Sequence, residues 1–145
     1  MEKILVSSCL AGFNLKYNGK NNYNFLIEEL KKKYELIYVC PEVDGGLSIP
    51  RDPSERIGDK VFSINGKDVT EEYNLGANKA LKLAKEFNIK IAILKDGSPS
   101  CGKSYIYDGT FSHVKINRLG VTAELLTNNG IEVYTENEID KLLWG

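Results

Sequence analysis

Short apolar runs alternate with helix-patterned stretches along this chain, and no other feature of it limits the fold as strongly. The strand-like runs are Lys3 to Ser8, Glu35 to Val39, Lys90 to Leu94 and Ile131 to Tyr134. Between them, Tyr23 to Lys33 places Phe25, Leu26 and Leu30 on one helical face. Thr70, with Glu71 and Glu72 behind it, opens the longest helix, which reaches about Phe87. A short helix follows from Val121 to Asn129, ended by Gly130, and Glu136 to Leu143 closes the chain as another. Alternation of this kind predicts an α/β fold of three layers: a mainly parallel sheet with helices on both faces. In such folds ligands bind at the carboxyl edge of the strands.

Three stretches stand outside the alternation. Pro41 to Asp59 carries Pro41, Pro50 and Pro53 and glycines at 45, 46 and 58, and reads as structureless. A loop that long inside a compact domain is usually functional. Lys60 to Asp68 reads as a hairpin turning at Asn65-Gly66. Tyr105 to Phe111 is extended and aromatic. With 145 residues, no repeat and no linker, residues 1–145 are expected to form one domain.

Composition excludes some partners. Lys and Arg number 19 against 20 Asp and Glu, for a net charge of −1, which offers no basic surface for nucleic acid. The densest basic run, Lys31-Lys32-Lys33, ends a helix, where cations complement the dipole. No apolar run approaches the ~18 residues that a membrane span needs. Val6-Ser7-Ser8-Cys9 looks like a lipoprotein cleavage box, but only Ile4-Leu5-Val6 precede the serines, too few for an apolar signal region. A cytoplasmic location is the expectation. The chain has three cysteines, and in a reducing compartment these are not a disulfide framework.

The stretch "DGSPSCGKS", residues 96 to 104, supports two readings. From Gly97 it spells Gly-x-x-x-x-Gly-Lys-Ser, a phosphate-cradling loop. From Cys101 it is a Ser-Pro-Ser-Cys-Gly loop presenting a thiol. A phosphate loop must open a helix, whose N-terminus faces the phosphates. Here "SYIYDGTF" follows, which is extended-then-turn material. The cysteine reading is preferred.

Cys9 and Cys40 each end a predicted strand, and Cys101 lies six residues beyond Lys95. If the strands are parallel, all three thiols lie along one carboxyl edge. A single cysteine is more often a small buried hydrophobe, but three at equivalent positions point to a ligand set. Zinc would take a fourth ligand, for which the only histidine, His113, is available. Soft thiolates also select an iron–sulfur cubane, in which three cysteines leave one iron without a protein ligand. Spacing alone does not choose between them.

"ILVSSCLAG", "KYNG", "VCPEVDGGLSIPRDPSE", "AILKDGSPSCG", "IYDGTF" and "GVTAELL", in this order and over nearly the whole chain, resemble the thiouracil desulfidase family. The family signature does not require Lys103. The resemblance implies a [4Fe–4S] cluster held by Cys9, Cys40 and Cys101, with an open iron that takes the sulfur of a thiolated pyrimidine. It implies a hydrolysis of the C–S bond without net redox change, thiouracil giving uracil and sulfide. It implies Glu42 and Ser98 as the catalytic acid/base pair. Many members carry a further cysteine near the Tyr-x-Gly turn, where Leu15 stands here; the three-ligand set is intact.

Iron as a Lewis acid draws electron density from a thiocarbonyl, and Glu42, two residues past Cys40, is placed to move a proton of the attacking water. Arg51 is a candidate clamp for a substrate carbonyl or phosphate. Tyr107, with Tyr105 and Phe111, is a candidate to stack on a pyrimidine. The alternative from another class is a zinc or iron–sulfur redox-sensing module without turnover, which would have no need of a positioned carboxylate.

Overall fold

The computed structural model describes residues Met1–Gly145. Four strands form the central sheet: β1 (Lys3–Ser7), β2 (Glu35–Val39), β5 (Ile91–Leu94) and β8 (Glu132–Thr135). Their spatial order is β2-β1-β5-β8, and every neighbouring pair is parallel. Leu5 stands opposite Ile37 on one side and Ala92 on the other, so β1 and β5 are the inner strands.

Side chains of the inner strands alternate between two cores, as a two-residue period requires. Leu5, Ala92 and Leu94 face one core with Ala80, Leu81 and Ala84 of α3 (Thr70–Glu86) and Ala123 and Leu126 of α4 (Val121–Asn128). Ile4, Val6 and Ile93 face the other with Ile27 and Leu30 of α1 (Leu26–Lys31) and Ile139 and Leu142 of α5 (Ile139–Trp144). Full burial of each such side chain contributes about 1.5–3 kcal/mol. The expected three-layer α/β architecture is therefore present, with two helices on each face.

Chain order and spatial order part company at β1. From β1 the chain goes outward to β2, then crosses back under α3 to β5 on the opposite side. Such a switch point opens a crevice beyond the carboxyl ends of the two inner strands, the ligand position of open α/β sheets.

Several boundaries differ from the sequence expectation. Pro41 to Asp59 is not structureless: it begins with the one-turn helix α2 (Pro41–Asp44) and ends in β3 (Ser54–Ile57). That strand, and not the segment beyond Asn65-Gly66, is the main partner of β4 (Lys60–Ser63), in an antiparallel pair joined at Gly58-Asp59. The Asn65-Gly66 turn does exist, closed by Gly66 N–H to Ser63 O, but it leads only to a single bridge between Phe62 and Asp68. Helix α1 begins at Leu26, after a turn in which the Asn24 side chain accepts the Leu26 N–H. Within Tyr105 to Phe111 only β6 (Ile106–Tyr107) pairs, with β7 (Lys115–Ile116). A 3₁₀ turn, Glu136–Glu138, precedes α5, with Thr135 and Glu138 forming its capping box. No helix is long and apolar enough to cross a membrane.

Candidate functional site

Each of the three carboxyl-end loops delivers one cysteine. Beyond β1 the chain turns through a 3₁₀ segment, Ser8–Ala11, which carries Cys9 and stops at Gly12 in the left-handed region (φ 95°). Beyond β2, Cys40 precedes Pro41, the first residue of α2. Its N–H donates to the Asp44 carboxylate (3.1 Å) and its carbonyl accepts the Asp44 N–H (2.8 Å). Beyond β5, the loop 96–104 carries Ser98 and the buried Cys101.

This last loop resolves the Gly97–Ser104 pattern. The N–H groups of Gly97, Lys103 and Ser104 all donate to one oxygen of Asp96, Oδ1, at 2.9–3.0 Å. The loop does gather backbone donors as a phosphate nest would, but the anion inside it is its own first residue. Burial works against ionisation of Asp96, and these donors more than reverse it, holding its carboxyl below the usual range. Lys103 points elsewhere, pairing with Glu138 at 2.8 Å, and no helix follows.

Cys9, Cys40 and Cys101 line one cavity of about 490 Å³, together with Glu42, Ser98, Arg51, Tyr73 and the aromatic side chains of residues 105–113. All three thiols are free. Burial raises each of them above the ordinary cysteine value. For Cys101 the nearby Glu42 carboxylate raises it further, and the other two thiols add to this. No three or more His, Cys, Asp or Glu side chains close around a single ion. A tetrahedral zinc centre completed by His113 is therefore not formed; His113 stands at the cavity mouth, edge-on to Tyr107.

Glu42 sits beside the thiols with both carboxylate oxygens engaged. Oε1 accepts from the Tyr73 hydroxyl (2.9 Å) and from Arg51 Nε (3.3 Å). Oε2 accepts from the Ser98 hydroxyl at 3.2 Å. Ser98 Oγ in turn accepts the N–H groups of Ser100 and Cys101, at 3.0 and 3.1 Å. With its lone pairs so occupied, its hydrogen is directed at Glu42.

The other two nitrogens of Arg51 donate to the carbonyls of Ser48 (3.2 Å) and Leu15 (3.0 Å). Tyr105 and Tyr107 meet edge-to-face at 5.8 Å, and Lys115 Nζ lies 4.3 Å from the Tyr105 ring centre. Phe111 and His113 hold left-handed backbone conformations (φ 57° and 61°), uncommon for residues of this size. Strain of that kind clusters at functional sites.

Sequence reasoning missed Tyr73 and Asp96. Tyr73 lies one helical turn before Ala77 and on the same face as Ala80, so by pattern it is a core residue. Its hydroxyl reaches the site only because Glu42 lies against it. Asp96 was legible only as a turn residue.

A parallel α/β sheet whose carboxyl-edge loops bring three thiols, a carboxylate and a hydroxyl into one cavity has the layout of an enzyme at its switch point. The chain belongs to the 2-thiouracil desulfurase family, whose family model matches residues 4–138. It is 45% identical to the uncharacterized protein YbbK of Bacillus subtilis (strain 168), covering 97% of this chain and 99% of that one. The structure superposes on that of TudS, a [4Fe-4S]-dependent thiouracil desulfidase, with a TM-score of 0.93 and 41% identity. That match covers 98% of this chain and 95% of the other.

Proposed function

We propose that this chain hydrolyses the carbon–sulfur bond of a thiolated pyrimidine at a [4Fe–4S] cluster held by Cys9, Cys40 and Cys101. Thiouracil and water give uracil and hydrogen sulfide, with no electron gained or lost. The observation that carries the reading is the Glu42–Ser98 hydrogen bond, 3.2 Å long, in the same cavity as the three thiols. Soft thiolates suit an iron–sulfur cubane, whose ligands go to separate irons, and three thiols share this cavity. When bound, the cluster supplies a Lewis-acidic iron with an open position for the substrate sulfur.

The protein's own groups carry the protons. Tyr73 and Arg51 both hold Oε1 of Glu42, leaving Oε2, on the Ser98 side, as the oxygen that exchanges a proton. Burial and the adjacent carboxylate keep the Tyr73 phenol well above its ordinary value, so it remains a donor. As the carbon–oxygen bond forms, Glu42 takes a proton from the attacking water. As the carbon–sulfur bond breaks, Glu42 returns the proton to the departing sulfur, while the Ser98 hydroxyl holds Oε2 in position. The second water proton also ends on the sulfide, and the carbonyl remains. Tyr105 and Tyr107 supply an aromatic wall for the flat ring.

Arg51, expected from the sequence to contact substrate, also holds Glu42 in place. A redox-sensing module without turnover leaves the four-residue network of Glu42, Ser98, Tyr73 and Arg51 without a purpose.

The test is anaerobic reconstitution with iron and sulfide, followed by sulfide release from 2-thiouracil. Glu42→Gln should bind the full complement of iron yet turn over at least ~10²-fold more slowly, the low end of the value of a positioned acid/base. Cys101→Ala should be pale and inactive. Near-normal turnover of Glu42→Gln with a full cluster would sink the mechanism.

A further inference from the structure

Two of the three thiols have a side-chain hydrogen-bond donor aimed at the sulfur. Ser7 Oγ lies 3.7 Å from Cys101 Sγ. It accepts the Lys95 N–H at 3.0 Å, which leaves its own hydrogen for the sulfur. Ser7 is buried, so water does not compete for that hydrogen. On the other side, Asn22 Nδ2 lies 3.4 Å from Cys9 Sγ. The Asn22 N–H also donates to the Cys9 carbonyl at 2.9 Å, so this residue grips Cys9 by backbone and side chain together. The hydrogen-bond partner of Cys40 Sγ is the Leu15 carbonyl, an acceptor, at 3.9 Å.

Neither Ser7 nor Asn22 has a part in the proton transfers derived above. Resting on the cluster reading, we propose that both are positioning residues that tune the cluster, Ser7 through the Cys101 sulfur and Asn22 through the Cys9 sulfur. A donor on a ligating thiolate withdraws electron density from it. That stabilises the more negative, reduced state of the cluster and raises its reduction potential. The same withdrawal makes the iron a stronger acceptor for a substrate sulfur.

The experiment compares reconstituted wild type with Ser7→Ala, Ser7→Thr and Asn22→Leu. Iron content, the midpoint potential by spectroelectrochemistry and the electron paramagnetic resonance of the reduced state are read on each. Ser7→Ala and Asn22→Leu should hold full clusters with midpoints more negative than wild type and altered resonance. Ser7→Thr keeps the hydroxyl and should stay near the wild-type midpoint. Full clusters at the wild-type midpoint in both Ser7→Ala and Asn22→Leu would overturn the inference. So would a folded variant unable to hold a cluster, because the three thiolates remain. Wild-type protein that takes up no cluster would overturn the cluster reading itself, a result distinct from loaded variants with unmoved potentials.

Discussion

Gly76 faces the carbonyl of Pro41 across the crossing of α3 and α2, so closely that a Cβ on Gly76 would overlap it. The contact is reciprocal, because Gly45 at the end of α2 meets the Glu72 carbonyl in the same way. These backbone contacts seat α2, with Cys40 before it and Glu42 in its first turn, against the helix that carries Tyr73.

Gly76→Ala should therefore push α2 away and move Glu42 from its partners. Overpacking of this kind costs about 1–3 kcal/mol, measurable by urea unfolding. A displacement on the order of 1 Å at a reacting group can lower turnover on the order of 10²-fold. Wild-type stability and sulfide release in the variant would show that α2 is not held by this contact.

Tyr73→Phe retains the buried ring and removes one of the two donors on Glu42 Oε1. A hydrogen bond to a charged group contributes about 1.5–3 kcal/mol, and 1.36 kcal/mol is tenfold in rate. The variant should fold and bind iron normally and show kcat reduced about tenfold or more, with KM little changed. A rise in KM at constant kcat would place Tyr73 on the substrate instead.

Magnesium ATP and GTP should not bind the Gly97–Ser104 loop, since the Asp96 carboxylate already receives its backbone donors. Calorimetry should register no heat of binding. Micromolar, magnesium-dependent binding that Lys103→Ala abolished would contradict this.

Glu138 works against burial yet is held down to about 2 by its bonds to Lys103 and Lys141 and by the Thr135 N–H. A carboxylate with a lowered folded-state pKa adds stability above its unfolded value, about 4.3. That stability is lost as pH falls through the folded value. Wild type should be more stable than Glu138→Gln at pH 6, and the gap should shrink from about pH 4 until it closes near pH 2. Urea midpoints across that range measure it. A gap independent of pH would assign the effect to packing.

The central sheet was legible because its strands are locally explicit. Glu35–Val39 matches its predicted bounds, since a β-branched and aromatic run between a basic helix end and a proline has few alternatives. Ser54–Ile57 was hidden because Arg56 stands in it. That side chain is buried, with its charge answered by Glu124 and the Leu119 carbonyl, both far along the chain. No strand template admits a buried arginine without knowledge of those partners. The Asn65-Gly66 turn signal then drew the hairpin to the wrong side of β4.

Cysteine identity and parallel strand order are enough, by themselves, to put Cys9, Cys40 and Cys101 at one carboxyl edge. Cys9 and Cys40 follow closely on their strand ends and Cys101 lies in the loop after β5, and parallel pairing aligns all three ends. What only the tertiary structure decided is the wiring between the loops. Tyr73 and Glu42 are 31 positions apart, Ser98 and Glu42 are 56, and Ser7 and Cys101 are 94. Hydrogen bonds act over about 3 Å, and whether residues so distant in the chain come that close depends on how α2 packs on α3 and how Asp96 closes its loop. Local patterns carry no record of such distances, so the ligand edge could be read from the sequence while the oxygen of Glu42 that faces Ser98 could not.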